Sequence, residues 1–294
     1  MNAPATFDTP APSPTATPDD LELVVRDERS GRNKGATTRR WWCNGDPVAT
    51  AWFNALSATF PRGEAFFIES VKAHRDGADP RLAAEIRAFV KQEINHTREH
   101  VAFNRMATDA GYDIAAIDAR VEELLALMKD RPVILNLAAT MALEHFTAML
   151  GHELLANPKH LEGADGDLGD LWRWHSVEEV EHKGVAYDTW LHATRDWSRW
   201  KRWKVKSLIM LIVTKRFVTH RMADMAQLLA QDGLMGPKWK WRIVAYLFGN
   251  PGFLRRIGGH WLAYFMPGFH PWNQDNRALI GQWDSAFSGA RATA

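Results

Sequence analysis

The chain has 294 residues, a formal net charge of +1 and 46% hydrophobic residues, enough for one large folded unit with a sizeable core. Its single cysteine, Cys43, excludes an intramolecular disulfide and points to a reducing compartment. The longest unbroken apolar runs, such as 208–213, fall far short of the roughly 20 residues that span a bilayer.

In chain order, residues 1–38 read as a disordered tail. The first twenty contain five prolines and lack the basic start and apolar stretch of a signal peptide. Residues 47–76 have apolar positions at helical spacing, interrupted by FPRG at 60–63. A long helix is expected from Pro80, a good first-turn residue after Asp79, to Gly111. An amphipathic helix follows over 114–129, then an Ala-, Leu- and Met-rich helix over 132–156 and another over 167–195. Alternating strand patterns and hairpin turns are lacking. The fold class is therefore all-α: a four-helix bundle over 39–195 with additional C-terminal helices over 196–294.

The stretch LWRWHSVEEVEHKGVAYD at 171–188 carries His175, Glu178, Glu179 and His182 on one helical stripe, flanked by Trp172, Trp174, Val177, Val185 and Ala186. Carboxylates and imidazoles in such apolar company need partners, and a metal is one. Glu179-x-x-His182 has a counterpart in Glu93-x-x-His96. Each follows a helix with its own mid-helix carboxylate, Glu144 at 35 residues before Glu179 and Glu64 at 29 residues before Glu93. Glu69 competes with Glu64, and spacing favours Glu64. The order Glu, Glu-x-x-His, Glu, Glu-x-x-His is the ligand set of ferritin-like dinuclear carboxylate proteins. Glu and His at i and i+3 reach one ion, so two pairs hold two ions, and the single Glu residues bridge or complete the coordination. Such donors suit iron or manganese, with zinc as a further option. The plain alternatives are a solvated helix pair for Glu93 and His96 and a buried hydrogen-bonded carboxylate for Glu144. His100, His145, His175 and Glu178 read as outer partners of the ligands or as alternative ligands.

FPRGEAFFIESV, FVKQEINHTREHVAFN, LAATMALEHFTAML and WRWHSVEEVEHKGVAYD together resemble a bacterial family named predicted metal-dependent hydrolases. The resemblance covers most of residues 40–195, and YFMPGFHPW near the end also fits. It implies metal ligands at Glu64, Glu93, His96, Glu144, Glu179 and His182.

Three functions compete. The preferred expectation is a di-iron oxidoreductase that uses O2 on an apolar, lipid-like substrate, with electrons from a separate donor protein. The alternative is a metal-dependent hydrolase with a metal-activated water, Glu178 or His175 shuttling protons. The third is non-enzymatic iron binding. The chain is expected to be cytoplasmic, and a homodimer is one expected assembly. Residues 195–256 hold fourteen Lys or Arg against three Asp, together with Trp197, Trp200, Trp203, Trp239 and Trp241. Such a segment packs on an acidic bundle or docks on an anionic membrane surface through 197–256, on the inner face of the membrane. Nucleic acid is disfavoured, because no binding module accompanies the charge.

Overall fold

The computed structural model describes residues 16–26 and 39–292, and the described residues contain helices and no strand. α1 (Pro47–Ser57) starts at Asp46, whose carboxylate accepts from the Val48 N–H, with Pro47 in the first turn. α2 (Phe60–Lys72) begins at the FPRG break. α3 (Pro80–Asp109) is capped by Asp79, which accepts from the N–H groups of Arg81 and Leu82. α4 (Ala115–Ala126) and α5 (Val133–Ala156) follow. The expected single helix over 167–195 is instead two, α6 (Gly166–His182) and α7 (Val185–Ala193). They part at Gly184, where a Cβ would collide with Thr17 Oγ1 and stand 3.0 Å from the Trp272 ring. α8 (Arg199–Gln231) is capped by Ser198, and α9 (Pro237–Val244), α10 (Phe253–Arg256), α11 (Gly258–Ala263) and α12 (Arg277–Ala292) complete the chain.

α2 packs on α3, α3 on α6, α6 on α5, and α5 back on α2, so the four helices close a ring. Gly151 lets α5 and α6 approach closely, since a Cβ there would lie 3.1 Å from the Ser176 carbonyl oxygen. α5 is long and apolar enough to cross a membrane, a feature the sequence reading missed because Glu144, His145 and Glu153 break its apolar run. Most of it is buried among its neighbours, as in the core helix of a bundle.

α8 lies across α1 and α5, and its Phe217 ring stacks on Phe146 at 4.7 Å and meets Trp52 edge-on at 6.4 Å. The core is continuous from the bundle into the C-terminal helices, with Met210, Met225, Leu228 and Leu229 buried in it. Only Arg221, Arg242 and Arg256, of the fourteen cations in 195–256, form ion pairs among the described residues.

Of the segment expected to be a disordered tail, residues 1–15 and 27–38 lie outside the described residues. Residues 16–26 depart from that expectation. They lie along α3, α6 and α7 with a turn at 18–21, anchored by Thr17 on Asp188 at 2.7 Å, the Val24 N–H on Glu181 at 2.9 Å and Arg26 on three carboxylates. Buried carboxylates on α6 supply the binding partners that composition alone does not reveal.

Cys43 is buried in the segment before α1, in a β-bridge with Ala164, and burial pushes its thiol up to about 12. Native protein at pH 8 is therefore expected to react with iodoacetamide about a thousandfold more slowly than unfolded protein, because the thiolate is the nucleophile. Intact-mass measurement after timed labelling checks this, and rapid native labelling would contradict it.

Candidate metal centre

The ring brings Glu64 of α2, Glu93 and His96 of α3, Glu144 of α5, and Glu179 and His182 of α6 into one buried cluster, each no more than 3% exposed. Four sets of three donor atoms, each set within 4.8 Å, lie among these residues, His100 and His175. One set joins Glu64, Glu93 and His96, and another joins Glu93, Glu144 and His182.

Glu93 is common to both. Its Oε1 lies 3.7 Å from His96 Nδ1 and 3.3 Å from His182 Nε2. Glu179 also faces both imidazoles, Oε1 at 3.5 Å from His96 Nδ1 and Oε2 at 3.5 Å from His182 Nε2. The carboxylates of the two Glu-x-x-His pairs therefore stand between the ends of the cluster, while Glu64 and Glu144 stand at its ends. Each motif does not make a separate site, as i, i+3 spacing alone suggested; α3 and α6 face each other and share their carboxylates.

The polar atoms aimed inward lack hydrogen-bond partners. Glu64 Oε1, both oxygens of Glu93 and Glu144, Glu179 Oε2, His96 Nδ1 and His182 Nε2 are all buried and unpartnered in this sense. Orphaned buried acceptors are rare, since each carries the full cost of desolvation. Here they converge from four helices on one volume. Four carboxylates with such orphaned oxygens, beside two imidazole nitrogens, fit divalent cations.

The outward atoms of the same residues are held. His96 Nε2 meets Glu178 Oε2 at 3.0 Å, leaving Nδ1 directed inward. His182 Nδ1 meets Gln92 Oε1 at 3.1 Å, leaving Nε2 inward. Thr97 Oγ1 donates to Glu64 Oε2 at 2.7 Å. Such partners fix ring orientation and tautomer around metal ligands.

A directed hydrogen-bond chain leads away from Glu179. Asn104 Nδ2 donates to the Ser57 carbonyl, so its Oδ1 accepts from Ser57 Oγ at 2.8 Å. Ser57 Oγ then accepts from His100 Nδ1 at 2.8 Å, and His100 Nε2 accepts from His175 Nδ1 at 2.7 Å. His175 Nε2 is left 2.8 Å from Glu179 Oε1. A neutral His175 thus turns a lone pair towards a carboxylate, an arrangement that a proton or another cation must bridge.

The electrostatics have the same origin. Burial pushes the Glu144 carboxyl up to about 8 against the opposing pull of His182, and burial likewise raises Glu64 and Glu93. Burial pulls His96 and His182 down, but Glu178 and Glu93 around His96, and Glu179 and Glu144 around His182, outweigh it and hold both well above the usual imidazole range. Burial also opposes ionisation of Glu179, yet His182 and His175 keep it well below the usual carboxylate range. Burial takes His175 down to about 4. Without metal, protons occupy the places that cations would neutralise.

Two expected outer partners lie elsewhere. Glu69 is on the exposed side of α2, paired with Lys72 at 3.0 Å, because five residues from Glu64 is well over a full turn. His145 turns away from the cluster into the C-terminal layer, 3.2 Å from the His260 carbonyl and packed on Tyr264 and Phe269. Successive helical positions are about 100° apart, so Glu144 facing in sends His145 out. Gln92, Thr97, Ser57 and Arg26 were not singled out from sequence. The polar stripe 92, 93, 96, 97, 100 on α3 carried a signal for the first two, whereas Arg26 and Ser57 arrive from distant segments and carried none.

A cavity of about 20 Å³ reaches Glu179 and His175 between Phe60, Leu150, Leu154 and Trp172. Its volume suits about one water, and its walls are mostly apolar.

A ring of helices enclosing orphaned carboxylate and imidazole donors defines the class: an all-α protein with a candidate multi-residue metal site. The chain belongs to the predicted metal-dependent hydrolase family, whose model matches residues 25–275. No curated protein and no solved structure matches the chain.

Proposed function

We propose that this protein is a hydrolase with a dinuclear metal centre, held by Glu64, Glu93, His96, Glu144, Glu179 and His182. The observation that carries the proposal is the convergence of orphaned donor atoms from these six residues. Glu64 and His96 would hold a cation at one end and Glu144 and His182 one at the other, with Glu93 and Glu179 between them. A bound divalent ion supplies Lewis acidity and lowers the pKa of a water towards about 7. Glu178 and Gln92 keep the two imidazoles oriented. His175, neutral and with its Nε2 lone pair 2.8 Å from Glu179 Oε1, is the base placed to take a proton from a water at the site, and His100 and Ser57 hold it in that tautomer. The apolar walls next to Glu179 keep bulk water from that side of the centre, leaving room for about one water.

The family description supports hydrolysis over the O2-dependent oxidation preferred from sequence. A second reading, iron-dependent oxidation, draws on one observation: a donor set of four carboxylates and two imidazoles with no thiolate, which also suits iron.

Metal analysis by plasma mass spectrometry on wild type and Glu144→Ala tests the centre. About two ions per wild-type chain, with a reduced content in the variant, is the expected result. The loaded protein is then assayed on p-nitrophenyl acyl esters and in an oxygen electrode with a reductant. Chelator-sensitive ester cleavage supports hydrolysis, iron-dependent oxygen uptake without cleavage moves the assignment to oxidation, and absence of any metal removes both.

A further inference from the structure

We propose that the cleft between α7, the start of α8 and the 266–270 loop binds the phosphate headgroup of an anionic phospholipid, with the exposed apolar stripe of α8 resting in the membrane interface. This inference does not rest on the chemistry of the metal centre.

The cleft encloses about 680 Å³. Arg199, Arg202 and Lys206 bring three cations to it, Trp200, Trp203 and Met266 form much of its apolar wall, and no carboxylate lines it. Lys206 is only 5% exposed and forms no ion pair with any described carboxylate; its ammonium donates to the Tyr264 carbonyl and lies 4.3 Å from the Tyr264 ring centre. Arg199 and Arg202 likewise have no acidic partner among the described residues, in contrast to Arg221 deeper on the same helix, which pairs with Asp224. The walls are well anchored. Trp200 and Trp203 stack at 4.8 Å and 10°, and Trp203 Nε1 donates to the Phe265 carbonyl at 2.8 Å. A built, cationic and aromatic cleft without its own counter-ion is complementary to an anion with an apolar attachment.

The surface beside the cleft indicates where that anion comes from. Trp200, at the cleft, is 62% exposed, and the same face of α8 continues through Lys204, Leu208, Leu211 and Lys215 at spacings of 4, 4, 3 and 4 residues. Leu208, Leu211 and Ile212 are 59%, 51% and 44% exposed. Met266 on the opposite wall is 58% exposed. Exposed leucine and isoleucine between lysines, beginning at a tryptophan, form the pattern of a helix lying in a lipid interface, and unpaired cations are attracted to anionic headgroups. A free phosphate or a soluble anion would need only the cleft; the stripe selects the lipid.

The test is flotation of the full chain with vesicles of phosphatidylcholine alone or with 30% phosphatidylglycerol. Wild type is expected to float with the anionic vesicles at least about tenfold more than with the neutral ones, and to release in high salt. Arg199→Ser with Arg202→Ser tests the cleft, and Leu208→Gln with Leu211→Gln tests the stripe; each pair is expected to reduce the bound fraction about tenfold. These positions are outside the metal centre, so unchanged metal content and thermal midpoint show that the variants fold. Equal flotation with both vesicle types, no flotation, or variants that bind like wild type would overturn the proposal. A dimer in solution that Leu211→Gln dissociates, without flotation, would assign the stripe to a second copy of the chain instead. Release of wild type by millimolar inorganic phosphate, with stripe variants unaffected, would reassign the cleft to a soluble anion.

Discussion

Glu93→Gln protein is expected to retain no metal, whereas Glu144→Ala keeps the ion at the His96 end. Glu93 is the carboxylate whose Oε1 lies within 3.7 Å of His96 Nδ1 and 3.3 Å of His182 Nε2. Gln preserves its volume but offers one oxygen and no charge, so neither end keeps its donor set. The thermal consequence is large. A ligand at about a thousand times its dissociation constant stabilises by about 4 kcal/mol. For a chain of this size each kcal/mol moves the midpoint by roughly 2–4 °C. Chelation is therefore expected to lower the wild-type midpoint by about 8–16 °C and leave Glu93→Gln unmoved. The metal-free wild type also has a pH signature. Glu144 has its native carboxyl raised from 4.5 to about 8, and Glu64, Glu93, His96 and His182 are also raised. Between pH 6.5 and about 8, where lowered histidines such as His175 and His145 are neutral in both states, these groups bind more protons in the native state than in the unfolded chain. Stability of the chelated protein should fall as pH rises through that window. Metal affinity should rise over the same range, because the ion displaces those protons. Calorimetry of chelated and loaded protein at several pH values checks both signs. Equal metal in wild type and Glu93→Gln would remove the shared-carboxylate geometry.

Arg26→Ala should cost about 3–5 kcal/mol, the penalty for stripping a buried carboxylate of its cation. The Arg26 side chain is 9% exposed. It donates to both oxygens of Glu181 at 3.1 Å and to both of Asp284 at 3.0 Å, while its backbone N–H donates to Glu178 at 3.0 Å. Burial opposes its charge, but Glu181 and Asp284 outweigh burial and hold the guanidinium above its ordinary value. Arg26→Lys keeps the charge without the fork and should fall between the two. Lys72→Ala, which breaks the exposed pair with Glu69, should cost no more than about 1 kcal/mol. Urea unfolding measures all three. Glu178 in turn holds His96, so Arg26→Ala should also weaken metal retention roughly tenfold to a hundredfold. A variant as stable as wild type would mean that residues 16–26 contribute little to the fold.

Much of this architecture is legible in local patterns. Helical periodicity with Asp79 and Pro80 places α3 within two residues of its observed end, and the i, i+3 relation puts Glu93 beside His96 and Glu179 beside His182 whatever surrounds them. Apolar neighbours of Glu144 and of 175–182 signal burial, and the six residues do converge. The break at Gly184 was less legible. Glycine is tolerated within a helical pattern, and the residues that crowd Gly184, Thr17 and Trp272, come from both ends of the chain.

That the chain is helical, and which carboxylates and histidines share a helical face, is readable from residue order alone, because backbone geometry sets those relations over a turn or two. Long-range packing turns Glu64 inward and Glu69 to solvent, sends His145 to another layer, sets Glu93 and Glu179 between the two imidazoles, and brings Arg26 to neutralise α6. Each of those depends on which helix lies opposite, and hence on burial and charge contributed by residues far away in the chain.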